Sequence, residues 1–347
     1  MHSNHQPSSL IVLDYFEITK FSVHGSENFG EKSSTTTYKI PEKINNEFRA
    51  TLVIGSDNGI LCLSDYFHSG VYLWNPATSE VKKLPSPVKR SVPPRTSPQE
   101  SLYIHCRIGF GFDPLTNDFK VVRLKYGFPN TRSPKSRSEV RVFSLRTNCW
   151  TTIEKPHLFS SQESNPCNTY LLPWSNYKTS VLVNGRIHWM FTFGGSPIND
   201  QDLSFGIVAF DLNTEVFSLI NSPQHIKGAN VKSIGKMFEC LSFILDTQES
   251  IEIWVMKEYG VTESWIKHTT VDLAKCPIPQ RKLFRAPLSL GNKSYVLFYS
   301  DNKLFWYDLK SNTLGHLCPS EYTVQFALYS ESIAQIWGDK PQDDQKR

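Results

Sequence analysis

The sequence has no run of the about 18 consecutive apolar residues that a membrane-spanning helix needs. Nor does it open on the basic-then-apolar pattern of a secretory signal, since it begins Met1-His2-Ser3-Asn4-His5-Gln6-Pro7. These absences predict a soluble chain with no membrane partner, placed in the cytoplasm, the nucleus or both, where the sequon Asn292-Lys293-Ser294 goes unused. Cysteine is sparse: seven lie scattered at 62, 106, 149, 167, 240, 276 and 318, with no Cys-x-x-Cys. An odd count in a large chain argues against a disulfide framework, so these read as reduced, mostly core cysteines. An excess of one charge is lacking too. Lys and Arg number 37 against 33 Asp and Glu, a net +4, which argues against nucleic acid as a partner.

Catalytic patterns are missing. The chain has no Gly-x-x-x-x-Gly-Lys-Ser/Thr, no Gly-x-Ser-x-Gly and no His-Glu-x-x-His. Gly109-Phe110-Gly111 lacks the third glycine and the following helix of a phosphate loop. His105-Cys106 has no further ligand at metal spacing, and His188 beside Trp189 on an alternating strand reads as a packed or hydrogen-bonded histidine. Most Asp residues fall where turns belong: 57, 113, 118, 211, 246, 301 and 308. The expectation is no enzyme, no cofactor and no metal.

Amphipathic helical periodicity is absent as well, and short apolar runs separated by turn signals take its place. Asn58-Gly59 and Asn184-Gly185 each sit between apolar runs, the strongest short hairpin signal, because the turn needs positive φ at both central positions. A recurring piece is an apolar strand, then Asp/Asn/Ser-x-x-Thr/Ser, then another strand, in which the Asp or Asn side chain bonds backbone N–H groups two residues on. Five groups stand out at about 51–84, 104–153, 179–220, 239–271 and 283–317, and residues 10–24 with 322–329 supply another that joins the chain ends. Long polar connectors lie at about 86–101, 126–138, 155–178, 194–204, 221–234 and 273–282. Many short strands spread over the whole chain, without helices, predict an all-β β-propeller of six blades, or seven. The domain is expected at 10–330, between a disordered N-terminus at 1–9 and a disordered tail at 331–347.

Two basic stretches follow: Lys82, Lys83, Lys89, Arg90 and Arg95 without an intervening acid, and Lys125, Arg132, Lys135, Arg137 and Arg141 against Glu139. They are either solvated loops or a surface for an acidic protein partner, with Tyr126 and Phe128 nearby. The candidate partner-binding positions are Lys89, Arg90, Arg95, Tyr126, Phe128, Arg132, Lys135 and Arg137. Trp74, Trp150, Trp189, Trp254 and Trp265 are expected to be packing anchors.

At this point the motifs resemble a family. Gly55-Ser56-Asp57-Asn58-Gly59-Ile60-Leu61-Cys62-Leu63 followed by Tyr72-Leu73-Trp74-Asn75-Pro76, then Ile108-Gly109-Phe110-Gly111-Phe112-Asp113-Pro114 through Arg123, are similar to signatures of the plant F-box-associated interaction domain. Val142-Phe143-Ser144, Val183-Asn184-Gly185-Arg186-Ile187-His188-Trp189 and Ile251-Glu252-Ile253-Trp254 continue the resemblance in order, over about 10–315, within a group that includes the S-locus F-box proteins. The resemblance implies a kelch-like propeller that recruits target proteins, identity unknown, to a Skp1–cullin–F-box ubiquitin ligase. Family members carry an F-box ahead of this domain, whereas here Ser8-Ser9-Leu10-Ile11-Val12-Leu13-Asp14 already looks like a propeller strand. A Skp1-type adaptor is therefore a partner only where an F-box is supplied upstream. Two other readings stand beside this one: a free-standing decoy that binds targets without the ligase, and a glycan-binding propeller.

Overall fold

The computed structural model describes residues 9–14, 20–25, 29, 35–45, 47, 51–65, 70–87, 104–127, 137–154, 180–193, 204–223, 226, 231–247, 249–275, 283–300, 303–317 and 324–336. They are almost entirely strands, with one short helix, α1 (Glu42–Asn45), and a 3₁₀ turn at Thr262–Ser264.

Near the N-terminus run β1 (Ser9–Asp14), β2 (Lys20–Gly25) and β3 (Thr35–Lys39). Next come β4 (Thr51–Asp57), β5 (Ile60–Asp65), β6 (Val71–Asn75) and β7 (Glu80–Lys83), which form one antiparallel sheet in chain order. A second such sheet holds β8 (Ile104–Asp113), β9 (Asp118–Gly127), β10 (Arg137–Ser144) and β11 (Cys149–Ile153), and a third β12 (Val181–Val183), β13 (Arg186–Phe193), β14 (Ser204–Asp211) and β15 (Phe217–Asn221). Then follow β16 (Val231–Met237), β17 (Cys240–Asp246), β18 (Ser250–Met256) and β19 (Trp265–Asp272), and after them β20 (Leu283–Leu290), β21 (Lys293–Ser300), β22 (Lys303–Asp308) and β23 (Thr313–Leu317). These eight make one sheet, but its two antiparallel halves meet through a single parallel pair, Lys236↔Leu288. Finally β24 (Val324–Tyr329) pairs with β1, from Ser9↔Tyr329 to Asp14↔Val324, completing a sheet in the order β24-β1-β2-β3. Joining the two ends of the chain in this way, as the sequence leads one to expect, covers an otherwise open strand edge.

Six apolar clusters hold neighbouring sheets, or half-sheets, face to face. Ile11, Leu61 and Trp74 fill one junction, Ile54, Phe110 and Phe143 the next, and Val122, Trp189 and Phe210 the third. The ring closes where Leu10 and Val12 of β1 pack with Leu288, Tyr295 and Leu304. The result is an all-β, propeller-like arrangement in which every sheet is covered on both faces.

That double coverage corrects three expectations. Strand alternation suggests that only one of His188 and Trp189 faces a core, yet both are buried, because each face of a sheet meets a neighbour. Residues 231–234, read as the end of a polar connector, belong with 235–237 to an innermost strand with Val231, Ile234 and Met237 buried; Lys232, Ser233 and Lys236 disguise it. The tail expected to be disordered from 331 instead continues in place to Ile336, which has no exposed surface.

Close packing explains the Gly109-Phe110-Gly111 motif. A Cβ at Gly109 would collide with Ile187 and Trp189 of the next sheet, and one at Gly235 would collide with the Pro287 carbonyl across the parallel junction. Asn58-Gly59 and Asn184-Gly185 have φ of 48° and 80°, and of 51° and 69°, as their hairpins require.

Candidate partner-binding surfaces

Antiparallel order sorts the connections onto two faces. The links β4–β5, β6–β7, β8–β9, β10–β11 and their counterparts leave the same end of every sheet, and they are short, from two residues at 58–59 to nine at 26–34. The links β5–β6 and β9–β10 and those between successive sheets leave the opposite end; the longest cover 84–103 and 154–180.

The short-turn face is built from side chains that close their own turns. Asp113 Oδ1 accepts the Leu115 N–H at 3.0 Å and Asp113 Oδ2 the Thr116 hydroxyl at 2.6 Å. Asp211 Oδ1 accepts the N–H groups of Asn213 and Thr214, both at 2.9 Å, and Asp308 those of Lys310 and Ser311. Burial alone would raise the Asp211 carboxyl, but these N–H donors and Arg186 outweigh it and hold it below the usual carboxylate range. Asp57 and Asp118 depart from the turn role. Asp57 Oδ2 reaches across to the Phe112 N–H of the next sheet at 2.7 Å, and its desolvation pushes the carboxyl up. Asp118 accepts the Ser144 hydroxyl and the Arg146 N–H.

These turns also lock neighbours together. The buried Lys120 ammonium donates to the Leu212 carbonyl at 2.6 Å and to Glu215 at 2.9 Å, and Asn213 donates to Asp113. Neither Lys120 nor Asn213 carries a sequence signal for this role, because the partners lie 92 to 100 residues away. His188 Nδ1 lies 3.0 Å from the Val181 carbonyl, which can only accept, so Nδ1 carries the proton and Nε2 accepts from the Tyr259 hydroxyl at 2.7 Å. Burial lowers His188 to about 4 and raises Tyr259 to about 12, so both are neutral.

Along the ring axis lies a cavity of about 1530 Å³. Its wall takes Ile54, Phe110, Val183, Ile234, Leu288 and Ala327, one from each innermost strand. At the short-turn mouth stand Asp57, Asn184, Lys236, Glu239, Tyr259 and Ser332, with Lys236 donating to Glu239 at 2.9 Å. Exposed apolar side chains also gather on this face: Leu115, Val216, Phe238 and Ile333.

Lys89, Arg90, Arg95, Phe128, Arg132 and Lys135 lie outside the described residues. Tyr126 and Arg137 are strand residues and not loop residues: Tyr126 pairs with His105 and Ser138, and Arg137 with Gly127. The described ends of the basic stretches are already engaged. Lys82 is buried, Lys83 pairs with Glu47, and Arg141 bonds Glu139 at 2.6 Å. Among the tryptophans, Trp74, Trp189, Trp254 and Trp265 are buried and Trp150 is half-buried. Three reach across junctions by the indole N–H: Trp150 to Pro85, Trp189 to Ile108 and Trp265 to Asn221.

Among the described residues no helix is long and apolar enough to cross a membrane, and Cys62, Cys106, Cys149 and Cys240 are free thiols.

Comparison with known proteins agrees with this architecture. A crystal structure of a nidogen/laminin complex contains a chain of similar fold, with TM-score 0.50, 11% identity, and coverage of 93% of this chain and 99% of that one. The F-box protein CPR1 of Arabidopsis thaliana is 30% identical over 294 residues, covering 81% of this chain and 67% of CPR1. A second F-box protein of Arabidopsis thaliana is 29% identical over 315 residues, covering 84% of this chain and 71% of the relative. The F-box associated beta propeller domain family matches residues 9–328, from the first strand of the ring to the last. The chain therefore belongs to the F-box-associated β-propeller domain family.

Proposed function

We propose that this chain is the substrate-recognition module of a Skp1–cullin–F-box type ubiquitin ligase, working in the cytoplasm or nucleus. It makes no covalent change itself; other subunits transfer ubiquitin. The reading includes six blades, the eight-stranded sheet counting as two because one residue pair alone joins its halves. Membership in the family and its F-box relatives support the ligase context. The observation that carries the division of labour is the position of Ser9 opposite Tyr329, at the end of β24 that leads into the short-turn face. A polypeptide joined ahead of Ser9 leaves on that side, so an F-box supplied there would hold the Skp1-type adaptor away from the long connections. Those connections, with Lys89, Arg90, Arg95, Phe128, Arg132 and Lys135, together with Tyr126 and Arg137 at the strand ends beside them, then present a basic surface to an acidic target protein.

Affinity capture from plant extract tests this. With an F-box fused ahead of Ser9, a Skp1-type adaptor and at least one further protein should co-purify. Replacing Arg132, Lys135 and Arg137 together with Ala should remove the second protein and keep the adaptor. Retention of both would refute the basic surface; capture of a target without adaptor would refute the ligase assignment.

A further inference from the structure

After β24 the chain crosses the short-turn face and is held there by side chains, with no strand pairing. Asn75 Nδ2 donates to the Ser332 carbonyl at 3.0 Å and to the Ala334 carbonyl at 2.8 Å, while Asn75 Oδ1 closes its own turn. Glu80 Oε2 accepts the Ile336 N–H at 3.1 Å. Ser332 lies directly over Gly59, where a Cβ would strike its backbone. Ser332 Oγ accepts the Ala334 N–H at 3.1 Å, which kinks the segment. Ile336 fills the mouth of the junction lined by Ile54, Ile60, Leu84 and Phe110 and is fully buried, whereas Ile333 points outward and is 86% exposed.

This is how a receptor reads a short linear peptide. Two carbonyls are held by one amide and one N–H by a carboxylate, and an aliphatic side chain enters an apolar pocket four residues after the first held carbonyl. The groove's walls come from β4–β7 and their turns, with Phe110 of β8 beside them, elements complete without residues 331–336. The geometry points to a linear-motif groove between the Asn58-Gly59 and Asn75–Glu80 turns that the chain's own residues 331–336 occupy, so that they compete with a partner segment of the same pattern. The partner it fits is an extended peptide with a small residue at the first held position and Ile, Leu or Val four residues on. This site lies on the face opposite the basic connections and stands or falls independently of the function proposed above.

The test uses the full chain and a fluorescein-labelled synthetic peptide of residues 330–336. Ile336→Asp in the protein should empty the groove. Anisotropy should then show the peptide binding at least about tenfold more tightly than it binds the wild-type chain, and Glu80→Ala in the same background should reverse the gain. A folded Ile336→Asp chain, with wild-type circular dichroism, that binds no better than wild type overturns the proposal. Hydrogen exchange on the wild-type chain gives a second readout should that variant not fold. The Ile336 amide should exchange at least about tenfold faster than the amides of Leu61 and Leu73, through local opening. Exchange as slow as theirs would make the segment a fixed part of the core and overturn the proposal too.

Discussion

The two faces of the ring obey different rules. On the short-turn face several connections are closed by their own side chains, as by Asp113, Asp211 and Asp308, and neighbouring sheets are tied together there, as by Lys120 and Tyr259. On the opposite face the connections run to twenty residues and more, at 84–103 and 154–180, and carry most of the basic candidates. The difference teaches that the recognisable motifs of this family are the fastenings of the scaffold. Substitution on the first face should cost stability, and on the second it should cost binding. Four experiments can break or sharpen that contrast.

The largest effect is expected at Trp189, buried in a junction with its indole N–H on the Ile108 carbonyl. Trp189→Ala should lower unfolding free energy by about 3–5 kcal/mol, measured by urea denaturation; a loss below about 1 would mean that the junction collapses around the gap. Next comes Gly109→Val, which drives a branched side chain into Ile187 and Trp189. It should cost about 1–3 kcal/mol or more, and an unchanged midpoint would refute the close approach.

A smaller effect is expected from acid. His188 is lowered by burial from 6.5 to about 4, so below pH 6.5 the unfolded chain binds a proton that the folded chain refuses. Stability contributed by neutral His188 is complete above 6.5 and is lost as pH falls toward 4. His24, similarly buried and lowered to about 4, adds in the same direction. Thermal melts of His188→Gln should show a shallower decline across that window than wild type, and identical slopes would sink the assignment. The smallest stability change belongs to the triple replacement of Arg132, Lys135 and Arg137 by Ala, within about 0.5 kcal/mol while target capture is lost. Unfolding of that triple variant would show the second face to be structural as well.

Legibility in the sequence follows the same division. Asn58-Gly59, Asn184-Gly185 and the Asp-x-x-Thr/Ser pieces could be read because turn chemistry is local. The strand groups followed from them, as did the joining of the chain ends. Strand β16 escaped because its inward residues alternate with Lys232, Ser233 and Lys236 beside a polar connector, and β3 escaped because Thr35, Thr36 and Thr37 look like loop. Lys120, Asn75 and Glu80 could not be read as fastenings, since what each one holds is between 92 and 259 residues distant. The apolar residues Ile333, Ile336 and Trp337 ahead of a polar tail were a local hint of the groove, but without the fold nothing marked Ile336 as the one to pack.

The pairing of β1 with β24 also sets a timetable for synthesis. A ribosome releases β1 early and β24 more than 300 residues later. Until then one long edge of β1 has no strand beside it, and the first and last sheets cannot dock. Nascent chains should therefore depend on chaperones until their final strand emerges, and a stop codon before Val324 should yield a sticky open arc in place of a slightly smaller ring.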